Sequence, residues 1–492
     1  MLMPWPKYPV IYEINTWAWL QELSQRTQCQ VTLGTVPVEE WDRLASLGAD
    51  ALWLMGVWER SPAGTRISRQ LPGLQAEYHK ALPDYSLEDV VGSPYCVHQY
   101  TVDPHLGGAE GLAVARQNLS QRELLLLLDF VPNHVAPDHP WILEHPEFFI
   151  QGSWEDLSNA PAEFFESADR VIACGRDPFF PPWADSAQLN AFNSNLRYAA
   201  VATLSDIAQQ CDGVRSDMAM LLINRIFERT WEERAGTPPV AEYWQEVISA
   251  IHGLYPGFLF IAEAYWDLEW ELQLQGFDYC YDKRLYDRLV HNDAESVRLH
   301  LLADVAYQGK LVRFIENHDE RRAASTFGPG QARAAAVTIG TLPGAKVFHE
   351  GQLEGCQVKL PIQLGRRPVE PVDDGLRAFY THLLEATHRP IFHDGEWQLC
   401  QVSGWSDNPS YLNLVAWGWH YGTERVLVAV NLSGSGIQAR VRIPWPEVAG
   451  QTWSLIDEFR GEVYLRNGNE LCDPGLYVGL EPWGFHFLRF ES

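Results

Sequence analysis

Four short apolar runs each stop at a carboxylate, and this pattern constrains the fold more than any other feature of the chain. They are LLLLLDFVPNH (124–134), GVRSDMAM (213–220), FLFIAEAYW (258–266) and LVRFIENHDE (311–320). Runs of this length, rich in Leu, Ile, Val and Phe, read as strands buried on both faces, which is the habit of parallel sheets. Parallel barrel strands all end at one rim, so acids far apart in sequence are delivered to one place. Asp217, Glu263 and Asp319 are the three acids so delivered. Two carboxyl groups at one site, one ionised and one protonated, equip it for general acid catalysis beside a nucleophile. The pattern reads as an enzyme.

Strand-like and helix-like segments alternate through roughly the first 385 residues. Strands are expected at 10–19, 51–57, 123–131, 213–218, 257–265, 277–282, 311–319 and 345–352, with helices at 38–48, 108–123, 197–211 and 242–256. Eight such units predict a closed (β/α)8 TIM barrel of the α/β class rather than an open sheet. One connection is much longer than the rest. Residues 135–195 are rich in Pro, Asp, Phe and Trp with little periodicity, and are expected to form an inserted subdomain after the third strand. A second excursion, 59–92, leaves the second strand. Beyond about residue 390 the pattern changes to short strands and turns, an antiparallel all-β module. The expected organisation is a barrel over 1–134 and 196–388, an insertion over 135–195 and a C-terminal β domain over 389–492.

Charge narrows the partners. The chain has 37 basic and 64 acidic residues, a formal charge of −27, which argues against nucleic acid and anionic membranes and favours a neutral substrate. Eight scattered Cys without a C-x-x-C pair argue against a zinc or disulfide framework, and no run is long and apolar enough to span a bilayer. MLMPWPKYPV lacks the basic and apolar regions of a signal peptide, so a cytoplasmic location is expected.

At these residues the chain resembles the α-amylase superfamily of retaining glycoside hydrolases and transglycosidases. DFVPNH, with Asp129, Asn133 and His134, is similar to the first family signature, and GVRSD, with Arg215 two residues before Asp217, to the second. EAYW supplies the acid of the third at Glu263, and ENHD gives Asn317, His318 and Asp319 of the fourth. SPYCVHQYTVDPHLGG (93–108) resembles the segment whose tyrosine, here Tyr95, stacks on the cleaved sugar; AQLN (187–190) and LPGAKVFHEGQLEG (342–355) are weaker echoes. The resemblance covers nearly the whole chain and implies that the terminal module is a β-sandwich. The chain also departs from the family. Met220 and Leu221 stand where many relatives carry Lys-His, and Cys96 and Gln99 where they often carry Asp.

The resemblance implies Asp217 as nucleophile, Glu263 as general acid and base, and Asp319 as stabiliser of the oxocarbenium-like transition state. Arg215 lies on the same strand face as Asp217 and would hold it ionised. Tyr95, His134 and His318 are the further substrate-binding candidates; Asp129 is read as support around Arg215, and Trp141, Trp183 and Trp266 as softer subsite candidates. Asn133 is either a ligand of a structural Ca²⁺ or a turn residue, and no cofactor is needed for the chemistry. The function implied is a retaining hydrolase of α-1,4-linked gluco-oligosaccharides or glycogen-type glucan. The alternatives are an α-glucan transglycosidase and, from another class, a catalytically silent carbohydrate-binding or partner subunit on the same fold.

Overall fold

The structure, a computed structural model, describes residues 4–492. Eight parallel strands close into a barrel: β1 (Val10–Asn15), β2 (Ala51–Met55), β3 (Leu125–Phe130), β4 (Gly213–Ser216), β5 (Leu259–Ala262), β6 (Tyr279–Tyr281), β7 (Leu311–Arg313) and β8 (Ala345–His349). Every residue of these strands is buried. That explains why they read as continuous apolar runs rather than alternating ones. By compactness the chain divides into one unit built on residues 11–281 with 358–369 and another built on 282–357 with 370–492.

In the first unit, register sets the functional side chains at matching depths. Arg215 of β4 pairs with Asp129 of β3 and Ile261 of β5, and Ser216 pairs with Phe130 and Ala262. Strand β4 opens on Gly213, where a side chain cannot fit. A Cβ there would lie 2.8 Å from both the Cβ and the carbonyl oxygen of Leu259, and 3.2 Å from Leu127.

The first expected strand is shorter than its apolar run. It ends at Asn15, whose side chain accepts the Ala18 N–H (3.3 Å) and so starts a helix over Thr16–Thr27. Buried Ala18, Trp19, Leu20 and Leu23 then follow helical spacing. The helix expected at 197–211 begins earlier, at Ser194, because Asn193 caps it. The sixth expected strand is present as β6, in parallel register with β5 through Ile261–Tyr279 and Ala262–Cys280.

Residues 135–195 are not structureless. They contain a three-stranded antiparallel sheet of Gln151–Gly152, Phe164–Ser167 and Arg170–Ala173, and a ladder of His134–Val135 with Ala187–Gln188. Val135, Ile142, Phe148, Phe149, Ile172, Ala187, Leu189 and Leu196 form a small core of their own, against which Trp141 packs. The 59–92 excursion carries helices Pro62–Gln70 and Pro72–Ala81 after a strand, Trp58–Arg60, that pairs with Val97–Val102.

The second unit contains β7 and β8 and an antiparallel domain of nine strands. These are β9 (Glu396–Leu399), β10 (Gln401–Ser403), β11 (Leu414–Tyr421), β12 (Glu424–Asn431), β13 (Ile437–Arg442), β14 (Thr452–Asp457), β15 (Val463–Asn467), β16 (Leu476–Leu480) and β17 (Phe485–Glu491). A six-stranded sheet, β9-β11-β12-β17-β14-β15, and a three-stranded one, β10-β13-β16, share one apolar core that includes Leu414, Leu427, Val441, Leu455 and Val478. The terminal module is thus a sandwich. Strands β9, β10, β15 and β16 are absent from the sequence reading. Their short, half-exposed alternation gives too weak an apolar signal. Among the described residues no helix is long and apolar enough to cross a membrane.

Candidate active site

At the ends of β3, β4 and β5 the site is assembled around one cation. Arg215 is 1% exposed, and its Nη1 lies 2.7 Å from Asp217 Oδ1 while its Nη2 lies 2.8 Å from Glu263 Oε2. Both carboxylates are themselves nearly buried. Three aromatic faces surround the guanidinium: Tyr95 at 5.1 Å, Trp53 at 5.6 Å and Tyr281 at 5.7 Å. Burial opposes the Arg215 charge, but Glu263, the Tyr95 and Tyr281 hydroxyls and Asp217 outweigh it and hold the group protonated well above its ordinary range. Two acids 46 positions apart in sequence thus share one counter-ion.

The carboxylates are oriented by further hydrogen bonds. Glu263 Oε2 accepts the Met218 N–H (2.6 Å), and Glu263 Oε1 accepts the Tyr265 hydroxyl (2.9 Å). Met218 reaches that acid because its backbone is left-handed (φ 43°, ψ 44°), which swings the chain just after Asp217 toward β5. Strand pairing continues on both sides. The Asp217 N–H donates to the Phe130 carbonyl (2.8 Å) and the Glu263 N–H to that of Ser216 (3.0 Å).

Asp129 is fully buried below this layer. Its carboxylate accepts the Trp53 indole N–H (3.1 Å) and the Gly56 N–H (2.8 Å). Gly56 adopts φ +77°, and a Cβ there would come within 2.7 Å of Pro94. Trp53 carries the connection upward, since its ring also faces Arg215.

His134 lies beside Tyr95, with which its ring makes a backbone hydrogen bond, and its ring centroid is 5.1 Å from that of Trp183. Burial pushes its imidazole below the ordinary range, although Asp217 and Asp185 pull the other way. At neutral pH His134 is a neutral donor. Of the softer candidates, Trp183 therefore joins the site, Trp266 packs on Phe179 (4.8 Å), and Trp141 belongs to the insertion core.

Asn133 is differently engaged. Gln188 Nε2 donates to the Asn133 side-chain oxygen (3.0 Å) and to its carbonyl (2.9 Å), and the Leu189 N–H takes the carbonyl's other side (3.1 Å). A calcium ion needs oxygen lone pairs turned toward it. At Asn133 the carbonyl and one lone pair of the side-chain oxygen are taken by N–H groups, so this residue locks the end of β3 to the 187–189 segment.

In the second unit, His318 and Asp319 lie just past β7. His318 Nε2 is 2.9 Å from Asp319 Oδ2; His318 is buried, whereas Asp319 is about one-third exposed. Asn317 Oδ1 accepts the N–H groups of Asp319 (2.9 Å) and Glu320 (3.0 Å) and so shapes this turn. Beneath it, fully buried Glu316 receives Arg322 (2.7 Å) and the Ala323 N–H (2.6 Å).

The structure thus brings Tyr95, His134, Arg215, Asp217 and Glu263 together in one unit and places His318 and Asp319 side by side in the other. Gln188 and Glu316 lie inside AQLN and ENHD, Tyr265 follows Glu263 in EAYW, and Tyr281 lies in the sixth expected strand; the sequence shows none of the hydrogen bonds or ring contacts they make here.

A sequence profile described as the α-amylase catalytic domain matches residues 38–363. Alpha-amylase MalA of Haloarcula japonica is 24% identical over 399 residues, covering 78% of this chain and 49% of that protein. Alpha-amylase 3 of Dictyoglomus thermophilum is 20% identical over 402 residues, 77% of this chain and 70% of that protein. The chain therefore spans about half the length of the first of these relatives. A solved maltogenic alpha-amylase from Thermotoga neapolitana shares the fold over 99% of both chains with a TM-score of 0.69 at 16% identity.

Three outcomes follow from this geometry. Arg215→Leu leaves two carboxylates buried without a counter-ion and should lower stability by about 3–5 kcal/mol in denaturant titration. Arg215→Lys should recover little of that loss, because one ammonium cannot span both acids. Excess EDTA should leave the melting temperature unchanged; a fall would return Asn133 and its neighbours to consideration as metal ligands. The profile match across two thirds of the sequence, laid over a barrel with these strand-end acids, places the chain in the α-amylase family.

Proposed function

We propose that the chain is a retaining hydrolase of α-glucosidic bonds, acting on α-1,4-linked gluco-oligosaccharides or glycogen-type glucan. The observation that carries this reading is the single guanidinium held between Asp217 and Glu263. Its 2.7 Å contact fixes the orientation of Asp217, as attack on an anomeric carbon requires, and its other nitrogen sets the second acid beside it.

The first step needs Glu263 protonated with substrate bound, in place of the carboxylate that Arg215 pairs in the free enzyme; it then gives its proton to the glycosidic oxygen while Asp217 attacks the anomeric carbon. The glycosidic bond breaks, an ester forms between the sugar and Asp217, and the shortened chain leaves as an alcohol. Glu263, now a carboxylate, takes a proton from water, and the hydroxide equivalent displaces Asp217 to release the sugar with retained configuration. Tyr265, which donates to Glu263 Oε1, holds that acid in position. Tyr95 is assigned as the stacking face for the cleaved sugar, and His134 and His318 as donors to its hydroxyls. Asp319 is assigned to the positive charge that develops on the ring. The names of the two amylase relatives support an α-glucan as substrate.

Acceptor-side contacts come from elsewhere than the positions after the nucleophile. Met220 and Leu221 lie in a short 3₁₀ segment, Ala219–Leu222, that is buried throughout. Their side chains are core, so they cannot grip a sugar. The Phe179–Trp266 pair, with centroids 4.8 Å apart and Phe179 exposed, is an aromatic surface that begins three residues past Glu263 in the chain and is assigned to this role.

Products from pure maltohexaose, resolved by length and anomer over time, test the proposal. Shorter α-configured sugars should appear first; early products longer than the substrate would identify a transglycosidase instead. Asp217→Asn keeps the shape and an acceptor for Arg215, so turnover should drop by about four orders of magnitude with melting little changed.

A further inference from the structure

The three-stranded sheet of the C-terminal sandwich has an outer face that its packing leaves open. Strands β13 and β16 alternate, with Ile437, Ala439 and Val441 and with Leu476, Val478 and Leu480 turned into the core. Gln438 and Tyr477 therefore face outward. Register sets Gly479 directly opposite Gln438, and the missing side chain leaves a depression in that face. An open groove of about 460 Å³ results, lined by Asn408, Ser410, Gln438, Tyr477, Gly479 and Glu481 among others.

Two aromatic rings stand against one another at this groove. Tyr477 is 45% exposed and Trp405 is 39% exposed, with centroids 6.2 Å apart and planes inclined at 59°. Most of the chain's tryptophans are buried, so an exposed Trp beside an exposed Tyr leaves apolar area in water that a ligand would cover. Polar groups flank the rings and are held in place. The Asn408 amide donates to Gln438 Oε1 (3.3 Å), the Gln438 N–H donates to Ser410 Oγ (3.0 Å), and the Asn408 N–H closes a turn onto the Trp405 carbonyl (3.0 Å). Among the groove's lining residues the only charged side chain is Glu481. Flat rings flanked by fixed amides and a hydroxyl, with the neighbouring cation Arg440 engaged by the Gly475 carbonyl (2.9 Å) and Glu470 (3.7 Å), suit a neutral ligand with C–H faces and a rim of hydroxyls.

We propose that this groove is a second carbohydrate site, which binds a segment of α-glucan chain and holds polymer on the enzyme between cleavage events. The identity of the sugar rests on the hydrolase reading above; the groove shares no residue with the candidate active site. Sugar C–H faces would lie on Trp405 and Tyr477, and hydroxyls would exchange hydrogen bonds with Asn408, Ser410 and Gln438.

The test uses the full chain in native gels cast with glycogen. To keep the polymer intact, retardation is compared between Asp217→Asn and the same chain carrying Trp405→Ala and Tyr477→Ala. The added substitutions should weaken apparent affinity for glycogen about tenfold, the loss of one stacking platform. In the otherwise native enzyme the two alanines should raise KM for glycogen and leave kcat/KM for maltohexaose unchanged. Both rings are exposed, so folding should survive, and Gln438→Ala offers a milder variant with a smaller loss of retardation. Equal retardation with and without the rings overturns the proposal, as does self-association of the native chain that the alanines abolish, which would make the groove a contact between copies. Ring-dependent retardation in a chain that hydrolyses no maltohexaose would support the groove while removing the hydrolase reading.

Discussion

A guanidinium placed where almost no water reaches it is costly unless its charge and its N–H groups are met by the protein. Arg215 is such a group, and much of the first unit is arranged to meet it. Asp217 and Glu263 answer its charge, and Tyr95, Trp53 and Tyr281 turn ring faces toward it. Asp129 fixes Trp53 and the Gly56 turn beneath. Because the two acids share one counter-ion, neither can move without disturbing the other. That mutual dependence is the preorganisation the proposed covalent mechanism needs, with Asp217 aimed before substrate arrives.

The backbone accommodates this arrangement at identifiable places. Met218, directly after Asp217, and Trp266 and Asp267, shortly after Glu263, all have positive φ without being glycine (43°, 64° and 62°). Non-glycine residues adopt this region at a cost, and persist there when surrounding contacts fix them. At Met218 the return is visible, since its N–H reaches Glu263. At Trp266 the turn sets the indole against Phe179. Two chain reversals thus follow the two acids, and each serves a neighbour of the proposed reaction centre.

Much of this was legible in the sequence because barrel strands are buried on both faces and end abruptly. An acid after LLLLL or FLFIA has nowhere to go but the strand end, so Asp129 and Glu263 located themselves. The pairing of Arg215 with Asp217 followed from their two-residue spacing. What could not be read were the contacts that residues far apart in sequence make with one another. Gln188 locks Asn133 from 55 positions away, and Tyr281 reaches Arg215 from a strand of only three residues. The apolar stretch after β1 misled for a local reason: Asn15 is both strand end and helix cap, and a short apolar run does not reveal its period until the cap is recognised. The sandwich's edge strands and the groove beside β16 depend on half-exposed residues, whose pattern is too weak to register.

The central claim is that Asp217, held by Arg215 opposite Glu263, forms the bond to sugar. Trapping that bond tests it most directly. The enzyme is treated with a 5-fluoro maltosyl fluoride, whose ester turns over slowly, and digested for peptide mass analysis. The account predicts one added glycosyl unit on the peptide containing Asp217. A label on Glu263 or Asp319, or rapid turnover of an untreated natural substrate by enzyme in which Asp217 is absent, would contradict it.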